Sequence, residues 1–487
     1  MLFNSYEFLF LFLPIVLGGY FFFGGMKGKS RLANVWLVLA SLFFYSYWNV
    51  KYLPLLLASI GLNYLISGYI LRYRKAKMKG AAQKAFWLGI VFNAGLLGFY
   101  KYTDFFIENL DLLGANLPLL HIILPLGISF FTITQMVFLV DCYEGVAKER
   151  NLIDYALFVS FFPHLLAGPI LYHKSMMKQF ADEKLRWVDW ENMARGFVLF
   201  VIGLAKKVII ADSFVKYVGI GYDNDTSTLT FFDAWLTALC YMTQLFFDFS
   251  GYSDMAVGLA RMMNIKIPIN FNSPYRAYGI IDFWSRFHMS LTTTITNYLY
   301  TPMVMNCKKI TFPKAMLATF SAMFIAGIWH GAGWTFVVFG AIHGMGLVVN
   351  HVWKKFHFWM WRPLGYALTL LTVLIGDVFF RAKSIGDALN MLTAMTGANG
   401  FLWHPKVADF LNNHLAFSLE SNPHIYSDFP KLAFMSAILL VAFVPSSNEI
   451  IKKLALNRKI AWAVGIILAI IIMLIRDKDT EFIYFQF

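Results

Sequence analysis

The chain has 487 residues, of which 59% are hydrophobic and only 14% are charged. Soluble domains are about 45–50% apolar and about 25% charged, so this composition excludes an ordinary soluble protein and indicates surroundings that are mostly lipid. The net charge of +13 does not indicate nucleic-acid binding, because the basic residues cluster in short loops between apolar segments, as they do in membrane proteins. We therefore predict contacts with membrane lipids and no nucleic-acid partner.

Apolar segments long enough to cross a bilayer recur along the whole chain. A spanning helix needs about 20 mostly apolar residues. The stronger candidates are residues 8–25, 32–50, 53–71, 85–100, 121–140, 192–211, 334–353, 364–380, 431–446 and 459–475. The weaker or broken candidates are residues 154–171, 229–249 and 314–330. We predict an all-α polytopic membrane protein with about 10–13 transmembrane or re-entrant helices, forming one membrane domain over residues 1–487.

The basic loops predict how the chain is oriented in the membrane. Residues 27–31 and 72–84 are rich in Lys and Arg and are separated by two candidate spans, and residues 452–459 are basic again. Short basic loops favour the cytoplasmic side, which predicts an N-terminus outside the membrane. The polar segment 384–430 is then external. The C-terminal tail FIYFQF (482–487), one span after the last basic loop, is predicted to be external as well.

Residues 241–300 differ from the rest, because this segment is aromatic yet carries charged side chains along its whole length. Such a segment does not read as a simple transmembrane span. We predict broken or interfacial helices that line a cavity, where the backbone is shielded by protein or water.

His330 is the strongest candidate for a catalytic residue. No Lys, Arg, Asp or Glu occurs between Lys314 and Lys354, and an ionisable group in a membrane segment usually faces a cavity or a pathway. The nearby glycines weaken the helix and allow close approach, and Trp329 and Trp334 are predicted to wall a pocket. The alternative role for His330 is a hydrogen bond that holds two helices together.

His288 lies in the sequence DFWSRFHMSLTT and is the second candidate. At 100° per residue, Phe283, Trp284, Phe287 and Leu291 form an apolar stripe, with His288 one turn after Trp284. A half-buried histidine near charged groups is suited to proton transfer. The alternative is a solvated histidine on an interfacial helix.

The sequence argues against a metal site. His343 follows His330 by 13 residues, which on one helix is about 20 Å of rise and nearly the opposite face, so the two chelate one metal only if the glycines break the helix. No HExxH spacing occurs, and the cysteines, Cys142, Cys240 and Cys307, are far apart. We predict no metal site and no bound cofactor.

Asp248 and Asp254 flank the sequence FSGYS within the aromatic and charged segment 241–300. Two nearby carboxylates are able to form an acid–base pair. They are equally able to accept hydrogen bonds from Arg286 or from freed backbone amides, and we favour this structural role.

These segments together resemble the membrane-bound O-acyltransferase (MBOAT) superfamily, and most closely its bacterial polysaccharide-acetylating branch. The resemblance extends over most of the chain. It rests on FLFLFLPIVLGGYF at the start, GLLGFYKYTDFF at 95–106, LPLGISFFTITQMVFLVDCYEG at 124–145, FFPHLLAGPI at 161–170, GLAKKVIIAD at 203–212, QLFFDFSGYSDMAVGLA at 244–260, FNSPYRAYGIIDFWSRFHMSL at 271–291, GIWHGAGWTFVVFGAIHG at 327–344 and the terminal FIYFQF.

The resemblance implies a ring of helices around a thinned centre with a funnel from each side, and a catalytic core at about residues 121–353. His330 matches the family's essential W-H-G histidine. His288 matches the second active-site histidine in F-W-x-R-x-H-x-S-L, a motif that includes Arg286 and Ser290. The implied activity, in a bacterial cell membrane, is transfer of an acetyl or other acyl group from a cytoplasmic thioester such as acetyl-CoA to a hydroxyl outside. An SGNH-type transferase is the implied partner in acetylating an alginate-like exopolysaccharide.

The chain departs from the family pattern after Leu291. Relatives continue with a basic and an acidic residue and then Y-L-Y-x-P-L-G-G, whereas this chain reads TTTITNYLYTPMVMNCKK. The donor and the acceptor polymer therefore stay open. Within the family the alternative is D-alanyl transfer to teichoic acid, and outside it the alternative is a transporter or scaffold without chemistry.

Overall fold

The computed structural model describes residues 1–26, 31–148, 151–403, 405–415, 420, 445–475, 482 and 483. These residues form helices and loops, with no β-strand among them. The helices are α1 (Leu13–Gly24), α2 (Leu32–Ser46), α3 (Leu53–Lys75), α4 (Lys79–Leu97), α5 (Thr103–Asp111), α6 (Ile128–Glu144), α7 (Leu152–Ser160), α8 (Phe162–Leu165), α9 (His173–Ala181), α10 (Trp190–Ala205), α11 (Asp212–Tyr222), α12 (Phe231–Met262), α13 (Ile280–Trp284), α14 (Met289–Ile295), α15 (Thr301–Met305), α16 (Phe312–His330), α17 (Trp334–Lys355), α18 (Arg362–Arg381), α19 (Ile385–Met395) and α20 (Pro405–Leu415), followed by Ser447–Lys453 and Arg458–Ile475.

Several of these helices have the length and composition of membrane spans. Five described helices qualify, namely Val50–Lys75, α16, α17, α18 and Arg458–Ile475, and the N-terminal apolar helices are shorter. Their outer surfaces expose large apolar side chains such as Leu317 and Met473, which are 66% and 73% exposed. Side chains of this kind are stable in lipid rather than in water. The predicted all-α membrane fold is confirmed, while the predicted span at 431–446 lies almost wholly outside the described residues.

Helix α12 is the centre of the fold. It contributes buried side chains to two apolar cores, one shared with the N-terminal helices and α10, the other with α11, α17, α18 and α19. It packs tightly on α10, because a Cβ atom at Gly203 would lie 2.6 Å from the carbonyl oxygen of Gly251. Only glycine allows this approach, and small residues at helix crossings are characteristic of membrane bundles.

The prediction that residues 241–300 form only broken or interfacial helices was wrong for their first third. Residues 231–262 form one continuous helix, and most of its side chains are buried. Its carboxylates are accommodated because lysines of the π-helical segment Lys206–Ala211 pair with them. The breaks come later, after Met262, where a loop leads to the short helices α13 and α14.

Two further features concern the start of α6 and the C-terminal tail. The span predicted at 121–140 becomes helical only at Ile128, because Pro125 precedes it and Gly127 adopts a left-handed conformation with φ of 73°. The described residues Phe482 and Ile483 of the C-terminal tail are buried, and the external side of this tail stays a prediction. The backbone N–H of Ile483 donates to Asp248 near the middle of α12.

Candidate active site

His330 is the last residue of α16, where the chain turns sharply into α17. Gly331 is extended, and a side chain there would overlap the ring of Phe336. Four residues earlier, a Cβ atom at Gly327 would lie 2.5 Å from the Cα atom of Gly340. The glycines therefore let α16 and α17 pack as a close antiparallel pair, and the break between them places the His330 imidazole in the protein interior, where it is 7% exposed.

The imidazoles of His330 and His288 line one small cavity of about 30 Å³. Their ring centroids are 6.5 Å apart. Phe339 and Phe380 pack edge-on against His330, and Phe249 packs edge-on against His288. A cavity of this size has room for one or two water molecules, at about 10–15 Å³ each. The site thus brings both histidines predicted from the sequence to one small cavity.

His288 is held by an unusual backbone conformation between α13 and α14. Its φ of 45° and ψ of 51° are left-handed, a conformation that costs energy and is concentrated at functional sites. Asn270 supports it from across the loop: its carbonyl oxygen accepts from the N–H of Met289 at 2.9 Å, and its Oδ1 accepts from the N–H and Oγ of Ser290. Ser290 therefore positions the loop and does not line the cavity.

The predicted helical stripe through His288 was wrong, because α13 ends at Trp284 and α14 begins only at Met289. Phe283, Trp284 and Phe287 nevertheless line the same cavity as His288. The turn between α13 and α14 brings these side chains to His288, whereas the prediction assumed a regular helix.

Lys101 reaches the end of α16 from the π-helical segment Gly98–Tyr102. Its Nζ donates to the carbonyl oxygens of Trp329 and His330 at 2.9 and 2.6 Å. The neighbouring Tyr102 hydroxyl donates to the carbonyl of Ile328. Carbonyls in the last turn of a helix lack intrahelical partners, so these side chains cap α16 at the residue that carries the imidazole. Lys101 was not predicted as a site residue, although a lysine at the end of the apolar segment 85–100 is a recognisable signal.

His343 and Asp377 also line the cavity and were not predicted as site residues. The break at residues 331–333 reverses the chain, so the separation expected for one continuous helix does not apply to His343. Asp377 is the single charged residue between Arg362 and Arg381, the same signal that identified His330. No group of three or more His, Cys, Asp or Glu side chains in the described part of the chain is arranged to hold a metal ion.

Asp248 and Asp254 lie on α12 away from the histidine cavity. Asp248 is 2.7 Å from Lys207, which also pairs with Asp212 at 2.9 Å, and all three side chains are 2% exposed. Asp254 is 2.6 Å from Lys206. Arg286, suggested from the sequence as their partner, instead pairs with Asp282 at 2.7 Å. This geometry favours the structural role for both aspartates.

The two tryptophans next to His330 differ in position. The ring of Trp329 lies 5.0 Å from that of His330, centroid to centroid, although Trp329 does not line the cavity. Trp334 was predicted to wall the pocket, but it is 55% exposed and its indole nitrogen donates to Asn109. Trp334 is the first residue of α17, and its side chain therefore lies at the turn between α16 and α17, outside the cavity.

Comparison with known proteins places these features in a family. Residues 30–365 match the membrane-bound O-acyltransferase family, MBOAT. The chain is 43% identical to a peptidoglycan O-acetyltransferase of Helicobacter pylori over 448 residues, which are 85% of this chain and 83% of that protein. It is 39% identical to a probable alginate O-acetylase AlgI of Pseudomonas aeruginosa over 81% of this chain and 75% of that protein.

A teichoic acid D-alanyltransferase of Bacillus subtilis is more distant, with 29% identity over 51% of this chain and 65% of that protein. The match to the family covers more than half of the chain and includes both histidines of the cavity. The chain belongs to the MBOAT, membrane-bound O-acyltransferase, family and is an acyltransferase.

Proposed function

We propose that this protein transfers an acetyl group from a cytoplasmic thioester, such as acetyl-CoA, to a hydroxyl of a cell-envelope polysaccharide outside the membrane. The observation that carries the proposal is the pair of imidazoles, His330 and His288, lining one small cavity with ring centroids 6.5 Å apart. Acyl transfer needs a base for the acceptor's hydroxyl proton and a group that stabilises the oxyanion, and two histidines are able to supply both.

In this proposal His330 is the general base. It ends helix α16 and lines the cavity next to the aromatic rings of Phe339 and Phe380. His288 is assigned the second role, stabilisation of the oxyanion. The backbone amide of Gly331 is less suited to this role, because it already donates to the carbonyl of Ile328 at 3.3 Å.

The proposal extends to location and partners. The names of the more similar relatives refer to peptidoglycan and alginate, and both are polysaccharides outside the cytoplasm. We propose a bacterial cytoplasmic membrane, an N-terminus outside as the basic loops predict, and an SGNH-type transferase that completes acetylation of the polymer. No bound cofactor is required, because the thioester is a substrate.

The acceptor is tested by deleting the gene in the bacterium that carries it. We expect acetyl esters to be lost from one envelope polysaccharide and to be restored by the wild-type gene, as measured by mass spectrometry of exopolysaccharide, peptidoglycan and teichoic acid prepared separately. Loss of ester-linked D-alanine from teichoic acid, with acetyl esters unchanged, would replace this proposal by D-alanyl transfer.

Replacing Lys101 by methionine should lower the rate of acetyl transfer about 10- to 100-fold. Two hydrogen bonds to the last turn of α16 are lost, each worth about 0.5–1.5 kcal/mol, and every 1.4 kcal/mol is a factor of about ten. The measurement is the initial rate in proteoliposomes. Tyr102→Phe, which loses one bond to Ile328, is the matched control and should lose less than about 10-fold. A wild-type rate in Lys101→Met would show that this cap does not position His330.

A further inference from the structure

Asp377 places a carboxyl group in the histidine cavity. It lies on α18, is 6% exposed and lines the cavity with His288, His330 and His343. Among the residues that the structure describes, no cation forms an ion pair with it and no group donates a hydrogen bond to it. A buried carboxylate without a partner is costly, so Asp377 carries its negative charge only when a cation is supplied during function.

The surroundings of Asp377 are rich in groups with unused hydrogen-bonding capacity. Trp284 Nε1 and His343 Nδ1 are buried without a partner among the described residues, and both residues line the cavity. His343 also packs against the backbone of Gly376, next to Asp377. The cavity has room for one or two waters, so these donors and the carboxyl are able to share a water with the catalytic histidines.

Other charged or titratable side chains surround Asp377 on every element packed against it. They are His330 at the end of α16, His288 before α14, His343 on α17, Tyr222 on α11, Tyr241 on α12, Tyr275 before α13 and Arg381 one turn later on α18. Arg381 is directed away, because it pairs with Asp223 at 2.8 Å and lies over the ring of Tyr222. Asp377 is therefore the one acidic side chain among the described residues that line the cavity.

The reaction creates a need for this negative charge. As the acceptor oxygen bonds to the thioester carbon and the carbon–sulfur bond breaks, the hydroxyl proton moves to the imidazole and the thiolate leaves. The imidazole is then positive. A second positive charge is close, because Lys101 Nζ donates to the backbone carbonyl of His330. Until the proton passes to the thiolate, giving a neutral thiol, a buried cation must be stabilised.

We propose that Asp377 is the counter-charge of the active site, a positioning residue whose carboxylate stabilises the protonated histidine formed during acyl transfer. It acts through the imidazole, directly or through a water held with His343 and Trp284. The inference rests on the proposed function, since it assumes that a cavity histidine takes up the acceptor's proton.

The experiment compares Asp377→Asn, Asp377→Glu and wild type as full-length protein in proteoliposomes with acetyl-CoA as the donor. Asp377→Asn keeps the shape of the side chain and removes its charge. We expect kcat to fall roughly 10- to 100-fold, the KM for the donor to stay within about 2-fold, and Asp377→Glu to recover part of the loss. Asp225→Asn, which removes an exposed carboxylate outside the cavity, should retain the wild-type rate.

The pH profile separates this role from packing. A carboxylate favours the protonated imidazole, so its removal lets the imidazole lose its proton at lower pH. The pH at which kcat is half-maximal should therefore move down by roughly one unit in Asp377→Asn. An unchanged profile, or equal losses of rate and thermal stability in Asp377→Asn and Asp377→Glu, would overturn the proposal.

A second measurement does not depend on turnover. Histidines labelled with ¹⁵N are titrated by NMR in detergent-solubilised wild type and Asp377→Asn, with His330→Gln and His288→Gln to assign the signals. We expect the midpoint of a cavity histidine to move to lower pH in Asp377→Asn. Inactive wild-type protein would count against the proposed function alone, whereas unchanged titration of both histidines would refute the role of Asp377 even if transfer is observed.

Discussion

Replacing His330 by alanine is expected to lower acetyl transfer about 10²–10⁴-fold, the usual contribution of a general base. The imidazole is enclosed by aromatic rings and faces the cavity shared with His288. Another described histidine takes its place only by moving, since the His288 ring centroid is 6.5 Å away. The measurement is the initial rate of acetyl transfer by protein in proteoliposomes loaded with acetyl-CoA.

Two controls separate lost chemistry from lost structure. His330→Asn keeps a polar side chain of smaller size and should be about as inactive as His330→Ala, while its thermal midpoint in detergent stays closer to wild type. His351→Ala removes a histidine from α17 that does not line the cavity and should keep the wild-type rate. Full transfer by His330→Ala would exclude His330 as the base.

Replacing Lys207 by methionine should destabilise the protein by about 3–5 kcal/mol, because it leaves Asp248 and Asp212 buried without their shared cation. The Lys207 ammonium lies 2.7 and 2.9 Å from the two carboxylates, and all three side chains are 2% exposed. The loss is measured by reversible unfolding in detergent or, more simply, as a lowered thermal midpoint. Activity should fall only in proportion to the folded fraction.

The control for Lys207 is an exposed lysine. Lys383 is 59% exposed and lies 3.7 Å from Asp223, and exposed pairs contribute about 0–1 kcal/mol, so Lys383→Met should leave the midpoint nearly unchanged. Adding Asp248→Asn to Lys207→Met should recover part of the stability, since one uncompensated carboxylate is removed. Equal midpoints for Lys207→Met and Lys383→Met would contradict a stabilising role for the buried pair.

The sequence identified candidate site residues where a single ionisable residue stands in an apolar segment. His330 stands in a long stretch without Lys, Arg, Asp or Glu, and a histidine there is costly unless it faces a cavity or a partner. Asp377 carries the same signal, because it is the single charged residue between Arg362 and Arg381, whereas Lys101 is followed by Asp104 after three residues and is less distinct. His288 was identified less directly, since its assumed helix does not exist and its motif carried the prediction.

Other features depend on neighbours that are distant in the chain. The broken helices expected at residues 241–262 are instead one helix, because Lys206 and Lys207 approach Asp254 and Asp248 across the contact between α10 and α12. The separation of about 20 Å expected between His343 and His330 applied to one continuous helix. The turn at Gly331 reverses the chain and brings His343 to the cavity.

The sequence alone determined the membrane environment and the helical class, and it predicted His330 as a site residue, because the cost of placing a charge or a polar group in lipid depends on composition and local pattern. Only the tertiary structure decided which groups meet: Lys101 with the carbonyls that end α16, Asn270 with the loop after His288, and Asp377 with the histidine cavity. These contacts join segments separated by 20 to more than 200 residues. Local periodicity carries no information about them, because packing, helix breaks and close glycine contacts set their geometry.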